Sequence, residues 1–358
     1  MFHSIVLFEG ERPLDQLINQ LKDKKSLDKV PNLIYVKNGE VVRNTSAKAL
    51  SYDQLACPNF DDLPLNKYLM PYPVLPYMAS RGCYWGKCTF CTHSFIYDSH
   101  YRKENEERVA EELDYLGKRY KTKYFTFSDE AISPNAFDRM SKAILSQGVE
   151  MRALGMLKFE SDSIETVELF KNMYKAGFLM LFFVLESAND RILSIIEKGC
   201  DQATEKRVLE NSSLAGIWNH LYLFFGFPTE EKHEAQETID FTVQHSELGD
   251  GTIHSVGQSV FSLEKDSAIY HDPAKFQINR ILRDPERDMA IIFDYEIEKG
   301  MTKDEVLDVY ENFDKTIESN FPSRKTWNYL SREHFLLYLD HYGREEILNM
   351  TRPLVQST

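Results

Sequence analysis

Three of the five cysteines fall within nine residues, in Ser80-Arg81-Gly82-Cys83-Tyr84-Trp85-Gly86-Lys87-Cys88-Thr89-Phe90-Cys91. Thiolate sulfur is the ligand that iron–sulfur clusters and soft metals select. Three such ligands on one tight loop can hold three irons of a four-iron cluster, leaving the fourth iron open to a small molecule. Two other chemistries would use the same residues. A structural zinc would take the three cysteines with His93 as fourth ligand. A redox pair would take Cys88 and Cys91 and leave Cys83 without a task. Zinc knuckles normally pair two Cys-x-x-Cys units, and only Cys88/Cys91 forms one here. The spacing favours the cluster, because that reading uses all three sulfurs.

The elements around the loop read as an α/β protein. The loop follows an apolar run, Val74–Ala79, and further candidate strands are Tyr124–Phe127, Glu150–Met156, Phe178–Leu185, His220–Phe225 and Ser255–Phe261. Between them lie helix patterns at Glu106–Arg119, Pro134–Gln147, Ser163–Ala176, Asp190–Lys198, Thr204–Ala215 and Glu231–Leu248. Asn105, Ser133 and Asp162 or Ser163 stand where N-caps are wanted, and Gly148, Gly177 and Gly216 where helices end. Six such units imply a parallel sheet covered by helices, either doubly wound or a partial barrel. In both, chemistry gathers at the C-terminal ends of the strands, where the cysteine loop lies. Residues 1–50 read as strand, helix and a hairpin about Asn38-Gly39; 51–73 read as linker, 74–270 as the main domain, and 271–358 as mainly helix.

Composition narrows the partners. The net charge of −14 opposes nonspecific binding to nucleic acid or anionic membranes. The longest apolar run, Phe178–Leu185, is far too short to span a membrane. The N-terminus lacks the basic start of a secretory signal. An odd number of cysteines, three of them crowded together, does not make a disulfide framework, so a reducing cytoplasm is the expected setting.

Ser80-Arg81-Gly82-Cys83 followed by Lys87-Cys88-Thr89-Phe90-Cys91 resembles the cluster loop of the radical S-adenosylmethionine superfamily. The lead-in Asp62-Leu63-Pro64 … Tyr72-Pro73-Val74-Leu75-Pro76 is similar to that of its cobalamin-associated branch. Phe127-Ser128-Asp129-Glu130, Leu185-Glu186-Ser187-Ala188 and Phe225-Gly226-Phe227-Pro228-Thr229-Glu230 match its later strand ends, so the resemblance covers roughly residues 28–265. It implies a partial (β/α)6 TIM-like barrel. It also implies a [4Fe-4S] cluster on Cys83, Cys88 and Cys91, with S-adenosylmethionine chelated to the open iron and cleaved by one electron to a 5′-deoxyadenosyl radical. There is one departure: four residues, Tyr84 to Lys87, separate the first two cysteines where the family usually has three, an insertion expected to be absorbed at Gly86.

The resemblance also proposes cofactor contacts. Phe90 is expected near the adenine. Asp129 and Glu130 occupy the place that receives the methionine amino group, although the family's Gly-Gly-Glu version is absent and both can equally serve the next helix as cap and first-turn acid. Glu186 closes a wholly apolar strand and needs a partner: the cofactor's ribose or ammonium, or Arg152. Arg152 could instead meet the cofactor carboxylate. Ser187 could assist or cap the next helix, a task Asn189-Asp190 could also fill. Gly226 would admit a ligand close to the backbone, or merely make a tight turn. His220 and His254, near strand starts, are expected to be structural, and Cys57 and Cys200 to be plain thiols.

Relatives often carry a cobalamin-binding Rossmann-like domain ahead of the barrel. Here Ile5 to Leu14 resembles only its last strand–helix unit, a short remnant, and the Asp-x-His-x-x-Gly motif is absent. Cobalamin binding by this chain alone is not expected, whether the domain has been lost or the chain is part of a longer product. Expected partners are a small-molecule or peptide substrate and an electron donor such as flavodoxin or ferredoxin. Rival readings are a zinc-stabilised α/β protein, or an inactive descendant acting as a partner protein.

Overall fold

A strand, β1 (Ser4–Val6), a helix, α1 (Glu11–Lys22), and a hairpin of β2 (Leu33–Lys37) and β3 (Glu40–Arg43) open the computed structural model of the chain. The structure describes residues 3–92, 101–160, 165–284, 286–287 and 289–351; His93, Asp162 and Ser163 lie outside them. Asn38 and Gly39 both have positive φ, 55° and 85°, the backbone that matches a two-residue turn to the twist of its strands. β1 pairs antiparallel with β2, making a three-stranded antiparallel sheet over a small core of Val30, Leu33 and Tyr35. Residues 51–73 form no strand or α-helix and are fastened to the main domain. The Tyr120 hydroxyl accepts from Phe60 N–H at 2.7 Å, and Cys57, Phe60, Leu65 and Met70 pack on the large core.

Six strands follow in the main sheet: β4 (Val74–Tyr77), β7 (Tyr124–Phe127), β8 (Arg152–Leu157), β9 (Phe178–Glu186), β10 (Trp218–Phe225) and β11 (Ser255–Val260). Their spatial order is their chain order and all five pairings are parallel. The helices between them lie on the sheet: α2 (Glu106–Tyr120), α3 (Pro134–Gln147), α4 (Val167–Ala176), α5 (Asp190–Ile195), α6 (Gln202–Leu214) and α7 (Lys232–Gln244). This is a partial (β/α)6 barrel. A parallel strand covered on both faces reads as an unbroken apolar run, and β9 shows why: Phe178, Leu181, Phe183 and Leu185 are fully buried. Each such side chain contributes about 1.5–3 kcal/mol through burial. Asn105 caps α2 by accepting from Glu107 and Arg108 N–H, and Ser133 caps α3 through Ala136 N–H. Thr166 caps α4. Gly148 and Gly177 end α3 and α4 in left-handed backbone.

A two-residue ladder, β5 (Ser80–Arg81) with β6 (Arg102–Lys103), branches from the end of β4. Beyond β11 the chain departs from the helical expectation. β12 (Leu263–Glu264), the short helix α8 (Ala268–His271), β13 (Ile278–Leu282) and β14 (Ile292–Ile297) precede the C-terminal helices, and the three strands form an antiparallel sheet. The signal was a period of two: along β14 exposed residues alternate with partly covered Phe293, Tyr295 and Ile297, which pack on a second core with Phe261 and Phe276. Helices α9 (Lys303–Asn320), α10 (Arg324–Trp327), α11 (Arg332–Tyr342) and α12 (Arg344–Thr351) complete the chain. α9 packs on α7 and β11, and α11 lies across β7, β8 and β9.

Candidate active site

The cysteine loop is held at its neck before any metal is considered. Ser80 and Arg81 pair antiparallel with Lys103 and Arg102, so the loop leaves and returns through one short ladder. Asp129, at the end of β7, accepts from Ala79 N–H at 3.1 Å and from the backbone and hydroxyl of Ser80. Its carboxyl is fully buried, and burial pushes it up to about 7 against those hydrogen bonds, with Glu130 beside it acting in the same direction. Glu9 of the N-terminal unit bridges Arg81 and Arg102, and Glu11 adds a 2.6 Å contact to Arg81. The small N-terminal sheet is thereby stapled to the neck of the loop.

Within the loop, Thr89 N–H donates to Ile196 O at 3.0 Å, and Thr89 O accepts from Ile269 N–H at 2.9 Å. Cys91 N–H donates to Cys88 O at 3.2 Å, closing the turn between the last two thiols. The longer first interval is filled by Trp85, whose indole N–H donates to Glu197 O at 2.8 Å. A Cβ on Gly199 would lie 2.2 Å from the Trp85 ring, so only glycine admits the indole there. Lys158 and Lys87 stand 4.2 and 4.6 Å from that ring. Gly86 follows at φ 62°, where the sequence placed the extra residue's turn.

Glu186 ends β9 at φ 65°, a left-handed conformation costly for a residue with a side chain. Its partner is Lys198, not Arg152: Lys198 Nζ lies 3.0 Å from Glu186 Oε1 and its side chain is 3% exposed. Burial works to lower the Lys198 pKa, and the charges of Glu186 and Cys88 outweigh it, so the ammonium stays above its ordinary range. Burial pushes the Cys88 thiol up, and Lys198 opposes that shift.

The other expected contacts divide. Phe90 meets Phe224 edge-on with ring centroids 5.2 Å apart, beside the loop. Ser187 is structural: its hydroxyl lies 3.2 Å from Thr238 Oγ1 and accepts from Asn189 N–H, while the Asn189 side chain caps α5. Gly226 makes room for this chain's own helix, since a Cβ there would lie 2.7 Å from Val306 of α9. Arg152 is not brought to this end. It opens β8, and its Nε donates to Asp340 of α11 at 2.6 Å; Lys123 and Tyr124 share that carboxylate. The first residue of a parallel strand sits at the sheet's opposite edge, about 20 Å from the seventh position at 3.3 Å per residue. His220 and His254 lie near the strand starts, enclosed by the fold.

Lys198, Lys158 and Trp85 were not singled out from the sequence. A usable signal existed for both lysines: Lys158 directly follows the largely apolar strand β8, and Lys198 follows the apolar end of α5. A lysine ending such a run is taken out of water and must answer a negative charge.

The donor set fits an iron–sulfur group. Between Gly82 and Thr92 stand three thiols and no carboxylate or histidine, and the buried cation Lys198 stands near Cys88. Among the described residues no three His, Cys, Asp or Glu side chains stand at a common metal-binding distance, so the fit rests on donor chemistry and placement. No helix among the described residues is long and apolar enough to cross a membrane.

The chain is similar to several known proteins. The radical SAM superfamily model matches residues 77–242. An uncharacterised methyltransferase of Pyrococcus horikoshii is 30% identical over 246 residues, 66% of this chain and 52% of that protein, so the chain spans about half its length. The solved cobalamin-dependent S-adenosylmethionine radical enzyme OxsB, with aqua-cobalamin and S-adenosylmethionine bound, has the same fold at TM-score 0.71 and 18% identity, covering 97% of this chain and 56% of that one. The radical S-adenosylmethionine methyltransferase TsrM from Kitasatospora setae matches at TM-score 0.65 and 14% identity, over 98% and 77% of the two chains. The cysteine loop pinned at the C-terminal edge of a six-stranded parallel sheet thus stands inside the segment, residues 77–242, that matches the radical SAM superfamily.

Proposed function

We propose that the protein cleaves S-adenosylmethionine reductively and abstracts hydrogen from an organic substrate, with methylation or peptide or natural-product modification as the outcome. The observation that carries this reading is the three-thiol loop pinned beside the buried Glu186–Lys198 pair. Cys83, Cys88 and Cys91 would hold a [4Fe-4S] cluster, which with S-adenosylmethionine supplies the one-electron chemistry when bound. Glu186 and Lys198 offer an anion and a cation side by side, the complement of a methionine zwitterion. Phe90 and Phe224 provide an apolar wall for an adenine, and the enclosed lysines balance the charge of thiolates without admitting water.

Cobalamin is a cofactor of the solved neighbours. The N-terminal unit here is a small antiparallel sheet with one helix, so this chain by itself is not proposed to bind it. An electron donor such as flavodoxin or ferredoxin would supply the reducing equivalent. Five cysteines, three of them crowded on one loop, suit a reducing cytoplasm.

Anaerobic reconstitution with iron and sulfide, followed by electron paramagnetic resonance of the reduced protein, tests the reading. A four-iron signal that changes on addition of S-adenosylmethionine is expected. Absence of a cluster, or a tightly held zinc in its place, overturns it.

A further inference from the structure

A cavity of about 350 Å³ opens on the inner side of β9, β10 and β11, where α10 and α11 cover the sheet. That volume falls within the roughly 300–1,000 Å³ of small-molecule sites. Sheet register sets its wall: Phe182 of β9 stands beside His220 of β10, which stands beside Ser255 of β11, and Tyr222 stands beside Gly257. Side chains two apart share a strand face, so His220, Tyr222 and Phe224 form one column on β10. The top of that column, Phe224, touches Phe90 of the cysteine loop. The cavity therefore lies below the cofactor end, separated by about 7–13 Å at 3.3 Å per residue.

The wall has a defined chemistry. The Phe182 and Tyr222 rings are stacked, 5.6 Å apart at 12°, and Trp327 of α10 faces His220 edge-on at 6.4 Å. His220 Nδ1 lies 2.7 Å from Ser255 Oγ, while Trp218 N–H donates to the same oxygen at 2.8 Å. The indole can only donate. The Ser255 hydroxyl can accept twice and donate once, so its contact with Nδ1 fits either imidazole tautomer. Nε2 is buried and has no hydrogen-bond partner among the described residues. It points toward Gly257, where a Cβ would lie 3.2 Å from it and 2.9 Å from the Tyr222 ring. Glycine is wanted at 257 because the imidazole and the Tyr222 ring already occupy the place a side chain would take. Burial, reinforced by the Arg332 charge, lowers the His220 pKa to about 3, so the ring stays neutral at physiological pH.

Arg332 stands at the mouth, its guanidinium carbon 6.0 Å from the Phe182 ring. Its Nε pairs with the adjacent Glu333 at 2.9 Å, and its guanidinium also meets the Tyr222 hydroxyl. Among the described residues no acidic side chain lines the cavity. We infer that this cavity binds a planar aromatic or heteroaromatic organic anion. The ring would lie along the Tyr222 and Trp327 surfaces and place its anionic group on Arg332. Naming that ligand as the substrate class rests on the radical reading above.

Titration calorimetry on the full chain, without iron, tests the site with 2-naphthoate and its neutral analogue 2-naphthamide. Naphthoate is expected to bind at least tenfold more tightly. Arg332→Gln, a change at an exposed position, should abolish that preference. Gly257→Ala, with melting measured alongside, should weaken both probes. Equal binding of acid and amide, no binding of either, or naphthoate binding indifferent to Arg332→Gln overturns the proposal. Binding as described in a chain that assembles no cluster would leave the site standing and sink the radical reading alone.

Discussion

Replacing Lys198 by methionine removes the cation of a buried ion pair and leaves Glu186 behind. The two groups are 3.0 Å apart, with side-chain exposures of 3% and 12%. At an effective dielectric of about 20, their attraction is roughly 5–6 kcal/mol. Much of this offsets the cost of taking both charges out of water, so the pair's net worth is small. Removing one partner exposes that cost, and about 3–5 kcal/mol of stability should be lost. The double variant Lys198→Met/Glu186→Gln removes both charges and should recover to within about 1–2 kcal/mol of the parent. Urea unfolding of the iron-free protein at neutral pH, followed by circular dichroism, measures the cycle. A loss under about 1 kcal/mol for Lys198→Met, or a double variant no better than the single, would show that the pair is hydrated and the burial argument wrong.

Gly199→Ala meets both a clash with Trp85 and a φ of 76°, so it should cost about 2 kcal/mol or more and quicken proteolysis within the cysteine loop; an unchanged cleavage rate would show that Trp85 does not hold the loop. Arg152→Met should lower stability by about 1–2 kcal/mol through the lost Asp340 contact. It should leave iron content and S-adenosylmethionine binding unchanged, and a loss of cofactor binding would return Arg152 to the site. Asp129, Glu165 and Glu230 are pushed up by burial to about 7, 8 and 7. A raised folded-state pKa gives stability that is present below the unfolded value and lost as pH rises through the folded one. The lowered His220 and His254 act the opposite way, but only below their ordinary pKa of about 6.5. Stability should therefore fall between pH 6.5 and 8, a slope that Asp129→Asn flattens; an unchanged slope in that variant would refute the Asp129 assignment.

The cysteine loop, most strand and helix positions, the N-caps of α2 and α3 and the hairpin turn were legible in the sequence because each depends on residues within a few positions of one another. Strand and helix periods, a capping side chain, an Asn-Gly turn and three clustered thiols carry their physics locally. Resemblance then selected the partial barrel from two architectures that the same periodicity allows. The β13–β14 pair was missed because its alternation is partial and its apolar face is covered by a second core assembled from distant segments.

What holds the site was decided by tertiary structure. The Glu186–Lys198 pair crosses 12 residues, the Trp85–Glu197 bond 112, and the Arg152–Asp340 contact 188. Each partner was set by where the sheet delivered the side chain. By itself the sequence determined the chemistry available, soft sulfur on a loop after a parallel strand. Only the folded chain decided which charges stand behind it, because a buried charge takes as its partner whatever packing places within about 3 Å.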